Sequence, residues 1–287
     1  MEALKQILPL LLTLSLAGLV MTVGLKAGHG DLLYVLRRPG LLIRAILAVE
    51  VIPPIAAAAM VWVLPLEPAV KAGIMLMAIS PVPPLVPGKQ LSIGARKEYA
   101  YGVYLAMALL TIIAVPLVFD LAARLFGQPR TLPFHTIAAT VATGVLIPLG
   151  LGMLVRRIAP DFAERIVPWV YRLSMLLVLL VFFPILATIW PAIRSLIGDG
   201  AVIAMAALTL VTLIGGHMLG GPADYDRATL AVASSVRHPG IAMLIANTTF
   251  ADKRVTAAVL LYLLVSMIMG ALYQAWFKHR YPAARPA

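Results

Sequence analysis

The sequence predicts an all-α polytopic membrane protein of about nine transmembrane helices, two of them interrupted. Three observations carry this expectation. Of the 287 residues, 62% are hydrophobic and only 12% are charged, whereas soluble domains carry roughly 45–50% apolar and about 25% charged residues. Mean hydropathy is +0.97. Apolar runs of the ~20 residues needed to cross a bilayer recur along the whole chain, divided by short basic or Pro/Gly-marked breaks. Such a composition excludes a soluble enzyme, a nucleic-acid binder and a disordered chain, and makes the lipid bilayer a partner. It also overrides the length-based expectation of two soluble domains.

The runs fall at 6–27, 40–64, 70–93, 98–126, 133–155, 167–191, 197–221, 228–250 and 255–277. Residues 1–287 therefore read as a single membrane domain. The first run begins like a signal peptide, but it is too long for that apolar region and reaches Lys26 without a small-residue cleavage site, so it counts as a span. Lys and Arg total 23 against 12 Asp and Glu, a net charge of +11. Basic residues mark the cytoplasmic side of membrane proteins. With nine alternating spans, 14 of them fall on one side, including Lys26, Arg96, Lys97, Arg156, Lys278 and Arg285. Another 7 fall opposite, including Lys5, Lys71, Arg130 and Arg254. The expected topology in a plasma or inner membrane puts the N-terminus outside and the C-terminus in the cytoplasm. Lys89 and Arg237 belong to neither side, because both lie inside apolar runs.

Nothing in the sequence points to catalysis. Cysteine is absent, so disulfides, thiolate metal sites and a cysteine nucleophile are excluded. His29, His135, His217, His238 and His279 are scattered without ligand spacing, and neither GxSxG nor a P-loop occurs. The chain is expected not to be an enzyme and to need no cofactor or metal. The 13 methionines read as core fillers, and Trp62, Trp169, Trp190 and Trp276 as interface anchors. His217 sits among paired glycines, which suits close helix packing. Asp224 and Asp226 read as solvated loop residues.

The third run contains Ser80-Pro81-Val82-Pro83-Pro84-Leu85-Val86-Pro87-Gly88-Lys89-Gln90. Its prolines remove backbone donors and clash with the preceding turn, so Pro81, Pro83, Pro84, Pro87 and Gly88 mark a helix break. The eighth run contains Ser234-Ser235-Val236-Arg237-His238-Pro239-Gly240, where Pro239 and Gly240 mark either a second break or a kink. Irregular backbone at membrane depth is tolerated only inside protein or beside a wet cavity. Two such breaks at related positions in the two halves point to an inverted-repeat transporter whose breaks cross at the binding site. Helix N-termini there favour an anion. Candidate substrate-binding residues are therefore Lys89, Gln90, Ser234, Ser235, Arg237 and His238.

Each has a plainer reading. Lys89 fits a basic loop with Arg96 and Lys97 if the third span ends near Pro87. Arg237 fits a structural or snorkelling role. Glu50 is the carboxylate set deepest in an apolar run, which suits either an ion pair with Arg237 or Lys89 or a proton-binding role. His238 suits a coupling proton or a neutral, helix-bonded imidazole.

In motif order the chain resembles the bile acid:sodium symporter (BASS) family over nearly its whole length. Ala17–Lys26 with Asp31 and Arg37-Arg38-Pro39 is similar to that family's MGL-L…DF…RP stretch. Lys71–Leu76 leading to Ser80-Pro81 and then Gly94-Ala95-Arg96 is similar to its first broken helix, GxxL…CPGG…SN…LARGD. Ala233–Ala242 is similar to its second, E-x-G-x-Q-N-x-G-x-A. The resemblance implies a panel of spans 6–27, 133–155 and 167–191. It implies a core of spans 40–64, 70–93, 98–126, 197–221, 228–250 and 255–277. It further implies crossing breaks between them and transport by alternating access. Family members often have ten spans, and the first is the one expected to be missing here.

The departures concern the sodium sites. Gly88-Lys89 stands where the family has Ser-Asn, Ala233 where it has a glutamate, Arg237-His238 where it has Gln-Asn, and Glu50 where it has a glutamine. No sodium-ligand set transfers residue by residue. A fixed cation ~8 Å from sodium, at an effective dielectric near 20, costs about 2 kcal/mol. The expectation is a carrier of a small organic anion in which Lys89 and Arg237 replace the sodium sites, so that it is sodium-independent or proton-linked. Two alternatives stay open, a sodium-coupled symporter and an anion-selective channel. Substrate identity and oligomeric state are not legible.

Overall fold

A computed structural model describes residues 2–28, 30–125 and 133–281. His29, Arg130, Arg285 and position 126, where the fourth run ends, lie outside the described residues. Within them all regular structure is helical. In chain order the elements are α1 (Glu2–Lys26), α2 (Asp31–Leu36), α3 (Pro39–Val63), α4 (Pro68–Ile79), α5 (Val86–Leu91) and α6 (Lys97–Leu125). There follow α7 (Phe134–Ile158), α8 (Pro160–Leu196), α9 (Ala201–Leu219), α10 (Asp224–Ser235), α11 (Pro239–Thr249) and α12 (Arg254–Arg280). Seven units are long and apolar enough to cross a membrane: α3, α6, α7, α8, α9, the α10–α11 pair and α12. Leu11–Lys26 and Pro68–Ile79 add two shorter apolar stretches.

Local chemistry explains the ends and irregularities. Pro39, Pro68, Pro160 and Pro239 open their helices, where the missing N–H costs nothing and φ is already helical. α3 carries a π-turn at Leu47–Val51. Pro53 and Pro54 follow it after Ile52, and neither supplies the N–H that would close on Val49 or Glu50 four residues back. A second π-turn, Ala142–Leu146 in α7, likewise precedes Pro148. The expected span 167–191 lies inside a 37-residue helix, ~55 Å at 1.5 Å per residue. Its polar first turns, with Asp161, Glu164 and Arg165, hid its true start. α2 was not expected at all; Asp31 anchors it by accepting the Gly28 N–H at 2.6 Å.

Two groups of helix contacts stand out, joined to each other by the packing of α8 on α12 and of α6 on α7. α1 lies against α7 and α8. Gly24 and Gly152 meet there back to back, and a Cβ on either would strike the other helix's backbone. Small residues of this kind let membrane helices approach closely. In the second group α4 packs on α12, α9 on α10 and α12, and α3 on α4 and α9. Most of α4 and α10 is buried, whereas α8 leaves most of its surface outward. Buried apolar side chains form two clusters. One draws on α3, α4, α7, α8, α9, α11 and the first half of α12, the other on α1, α3, the first half of α6, α7 and α10. Glu50, Ser80, Arg237 and His238 belong to neither.

Candidate functional site

Both interrupted helices are real breaks, and they touch. α4 ends at Ile79, Ser80 is extended (φ −72°, ψ 151°), and α5 begins at Val86. α10 ends at Ser235, Val236 is extended (φ −105°, ψ 130°), and α11 begins at Pro239. The kink reading of the eighth span therefore fails. At the crossing the His238 N–H donates to the Pro81 carbonyl at 2.8 Å. Two of the expected break residues, Pro87 and Gly88, lie instead inside α5, while Pro239 and Gly240 end the second break by opening α11; proline is well accommodated in a first turn. The irregular backbone of the first break is Ser80–Leu85, with Pro81, Pro83 and Pro84.

Arg237 is 2% exposed and sits at this crossing. Its Nη2 donates to the Val49 carbonyl at 2.6 Å and its Nη1 to the Ser80 carbonyl at 3.2 Å. The reason is in the prolines. In an unbroken helix Val49 would accept from residue 53 and Ser80 from residue 84, and both are proline. Two carbonyls stripped of their backbone donors inside a membrane protein are costly. One forked guanidinium satisfies both.

Glu50 lies next to one of these carbonyls, on the π-turn. Its Oε1 is buried without a hydrogen-bond partner. Arg237 lies beside it, bonded to the carbonyl of the preceding residue, Val49. Of the two ion-pair partners considered for Glu50, neither forms an ion pair with it among the described residues; Arg237 instead bonds that neighbouring carbonyl. His238 caps α11: its Nδ1 accepts the Ile241 N–H at 3.4 Å, the geometry of a neutral ring, and its Nε2 is buried and unpartnered.

The remaining predicted residues are placed differently. Gln90 is buried on α5, donates Nε2 to the Thr229 carbonyl of α10 at 2.7 Å, and leaves Oε1 unpartnered. Ser234 turns its hydroxyl to the carbonyls of Thr212 (2.7 Å) and Ala231 (2.9 Å), and Ser235 to that of Val232 (3.3 Å). Lys89 is on α5 and not in a loop; it is half-exposed, with no hydrogen bond or ion pair to its ammonium among the described residues. The structure brings Glu50, Arg237 and His238 together, and the Lys89 ammonium bonds to none of them.

A cavity of about 390 Å³ opens where α1, α5, α6, α7 and α8 meet. Lys26, Lys97 and Arg156 line it, with Glu164 paired to Arg156 at 2.9 Å. Charge counting had assigned these three cations to orientation alone. Asp226 also departs from expectation, being buried and ion-paired to Arg96, which holds the Arg96 guanidinium above its usual pKa. The counterpart at the other end is Arg254, which pairs with Glu67 and Asp252. His217 packs α9 on α12 through the Tyr273 hydroxyl at 2.7 Å.

A multi-pass helical protein whose broken helices cross over a buried charge has the architecture of a membrane transporter. The particular kind is given by its relatives: the profile of the sodium bile acid symporter family matches residues 10–196, well over half the chain, and the protein belongs to that family. The match takes in the first break, while the second lies beyond it. No individual curated protein matches the chain.

Proposed function

We propose that the protein is a secondary active transporter that moves a small organic anion by alternating access, with Arg237 standing in place of a mobile sodium ion. In this reading the chain makes nine crossings, counting α1 and the α4–α5 pair, with the N-terminus outside and the C-terminus in the cytoplasm of the plasma or inner membrane. α1, α7 and α8 form the panel, and the other spans form the inverted-repeat core. One observation carries the reading: the guanidinium of Arg237 bridges the proline-freed carbonyls of Val49 and Ser80 at the crossing. A tethered cation there satisfies by covalent attachment what an ion would otherwise have to satisfy from solution. The cavity lined by Lys26, Lys97 and Arg156 supports an anionic substrate. Lys89, half-exposed and unpaired, is free to meet that anion as it moves inward.

The test is uptake of taurocholate, a conjugated bile acid suggested by the family, into proteoliposomes with sodium replaced by choline. Saturable uptake that survives the replacement is expected. Steep sodium dependence would sink the idea and favour the second reading, an ordinary sodium-coupled symporter, for which the family match speaks. Single-channel currents in place of saturation would instead indicate an anion pore.

A further inference from the structure

The crossing leaves one charged group unaccounted for. Arg237 spends its two outer nitrogens on carbonyl oxygens. The carboxyl of Glu50 therefore shares its surroundings without a direct bond, and Oε1 has no partner at all. The residue as a whole keeps some accessible surface, while Oε1 is sealed. A carboxylate in such a place must find a cation or a proton.

We propose that Glu50 is the proton site of this transporter, and that one proton enters the crossing with each monovalent organic anion. The proposal rests on the transport reading above and names its coupling ion. The chemistry is a single O–H bond. Glu50 takes a proton from water on one side and returns it to water on the other, with no other bond changed. With Glu50 ionised, its charge and that of Arg237 cancel, and the crossing is neutral. With Glu50 protonated, Arg237 is uncompensated, and the crossing attracts an anion. Proton and anion then bind together because each makes the site more favourable for the other, which is reciprocal linkage. A one-to-one stoichiometry with a monovalent anion moves no net charge.

The neighbours leave this role to Glu50. The elements packed against its π-turn are α6, α9 and α10. Near its start α6 carries Lys97 and Glu98, then Tyr99, Tyr101 and Tyr104; further on it carries Asp120 and Arg124. The one titratable group of α9 is His217, near its end, already bonded to Tyr273. α10 opens with Asp224, Tyr225, Asp226 and Arg227 and runs into Arg237 and His238. Of these, Arg237 is the one that bonds the carbonyl beside Glu50, that of Val49. His238 has committed its Nδ1 lone pair to capping α11, so taking a proton there would break a helix cap.

Two measurements on the full-length protein test the proposal. The first follows the protonated-carboxyl band by infrared difference spectroscopy while vesicles of reconstituted protein are titrated across neutral pH. The second measures taurocholate binding by tryptophan fluorescence, and its uptake under an inward proton gradient in sodium-free choline buffer. The wild type is expected to show a carboxyl band that E50Q lacks and E50D retains. Taurocholate affinity should weaken by up to about tenfold per pH unit on the alkaline side. In E50Q binding should no longer depend on pH, a result that an unfolded variant, which binds nothing, would not give. Uptake should accelerate with the proton gradient in wild type and E50D and lose that acceleration in E50Q. A carboxyl that stays ionised throughout, or an E50Q variant that keeps the wild-type pH response, overturns the proposal. A carboxyl that titrates while no gradient moves taurocholate contradicts the transport reading and leaves protonation of Glu50 standing.

Discussion

The two breaks solve the same problem with opposite chemistry. The first is made by prolines and is rich in acceptors: Pro81, Pro83 and Pro84 free carbonyls and offer no N–H in return. The second has a single proline, and its irregular residues bring donors. His238 gives its backbone N–H to Pro81, and Arg237 gives its guanidinium to Ser80 and, across the core, to Val49. Each half by itself would be unsatisfied at membrane depth, and the pair is satisfied by contact. The comparison teaches that the crossing is a donor–acceptor pair built into the chain, with the cation supplied by one half.

The harshest way to break this pairing is Arg237→Ala, which strands two carbonyls and leaves Glu50 without a countercharge. A loss of about 3–5 kcal/mol is expected, visible as a large fall in unfolding temperature in detergent together with loss of taurocholate uptake. Away from the crossing, Gly152→Val forces a branched side chain against the backbone of α1. An overpacking cost of about 1–3 kcal/mol follows, with the breaks untouched, so its residual transport should exceed that of the arginine variant. Gln90→Ala removes the direct hydrogen bond from α5 to α10 and should cost about 1 kcal/mol in the same unfolding assay.

Lys89→Ala sharpens the contrast between the two buried-run cations. Its ammonium has no bonded partner among the described residues, so stability should change by less than about 0.5 kcal/mol while taurocholate uptake weakens. A variant equally unstable as Arg237→Ala would show that the two cations share one role. The smallest effect is at Asp252, whose carboxyl is held below its usual pKa by the side chain and then the backbone N–H of Arg254. A depressed carboxylate stabilises the fold above its unfolded pKa and loses that contribution as pH falls through the folded value. Asp252→Asn should therefore flatten the acid limb of the unfolding temperature slightly, and added salt should shrink the difference.

Much of this was legible before any coordinates. Hydropathy found the seven helices long and apolar enough to cross a membrane, although it started the 37-residue one too late, because lipid demands long apolar helices and little else. The first break could be read from its prolines, and Arg237 and Glu50 stood out as charges where none is cheap. What escaped was non-local or depended on helix detail. That Arg237 reaches back 188 positions to Val49 is invisible to periodicity, although Pro53-Pro54 marks the free carbonyl that it fills. Pro87 looked like a breaker and is a helix starter, since the same ring does either according to its position in the turn. Lys26, Lys97 and Arg156 were counted by side of the membrane, and such a count cannot tell a solvated charge from one facing a gap between helices. Asp226 looked solvated because its partner, Arg96, is 130 residues away.

Whether a residue of the chain fills the place of a mobile cation is read by titrating sodium against the thermal stability of the purified protein. A ligand that binds the folded state raises stability as the logarithm of its concentration above its Kd. Sodium should stabilise the wild type no more than choline does at equal ionic strength. A saturable, sodium-specific rise in unfolding temperature would contradict it.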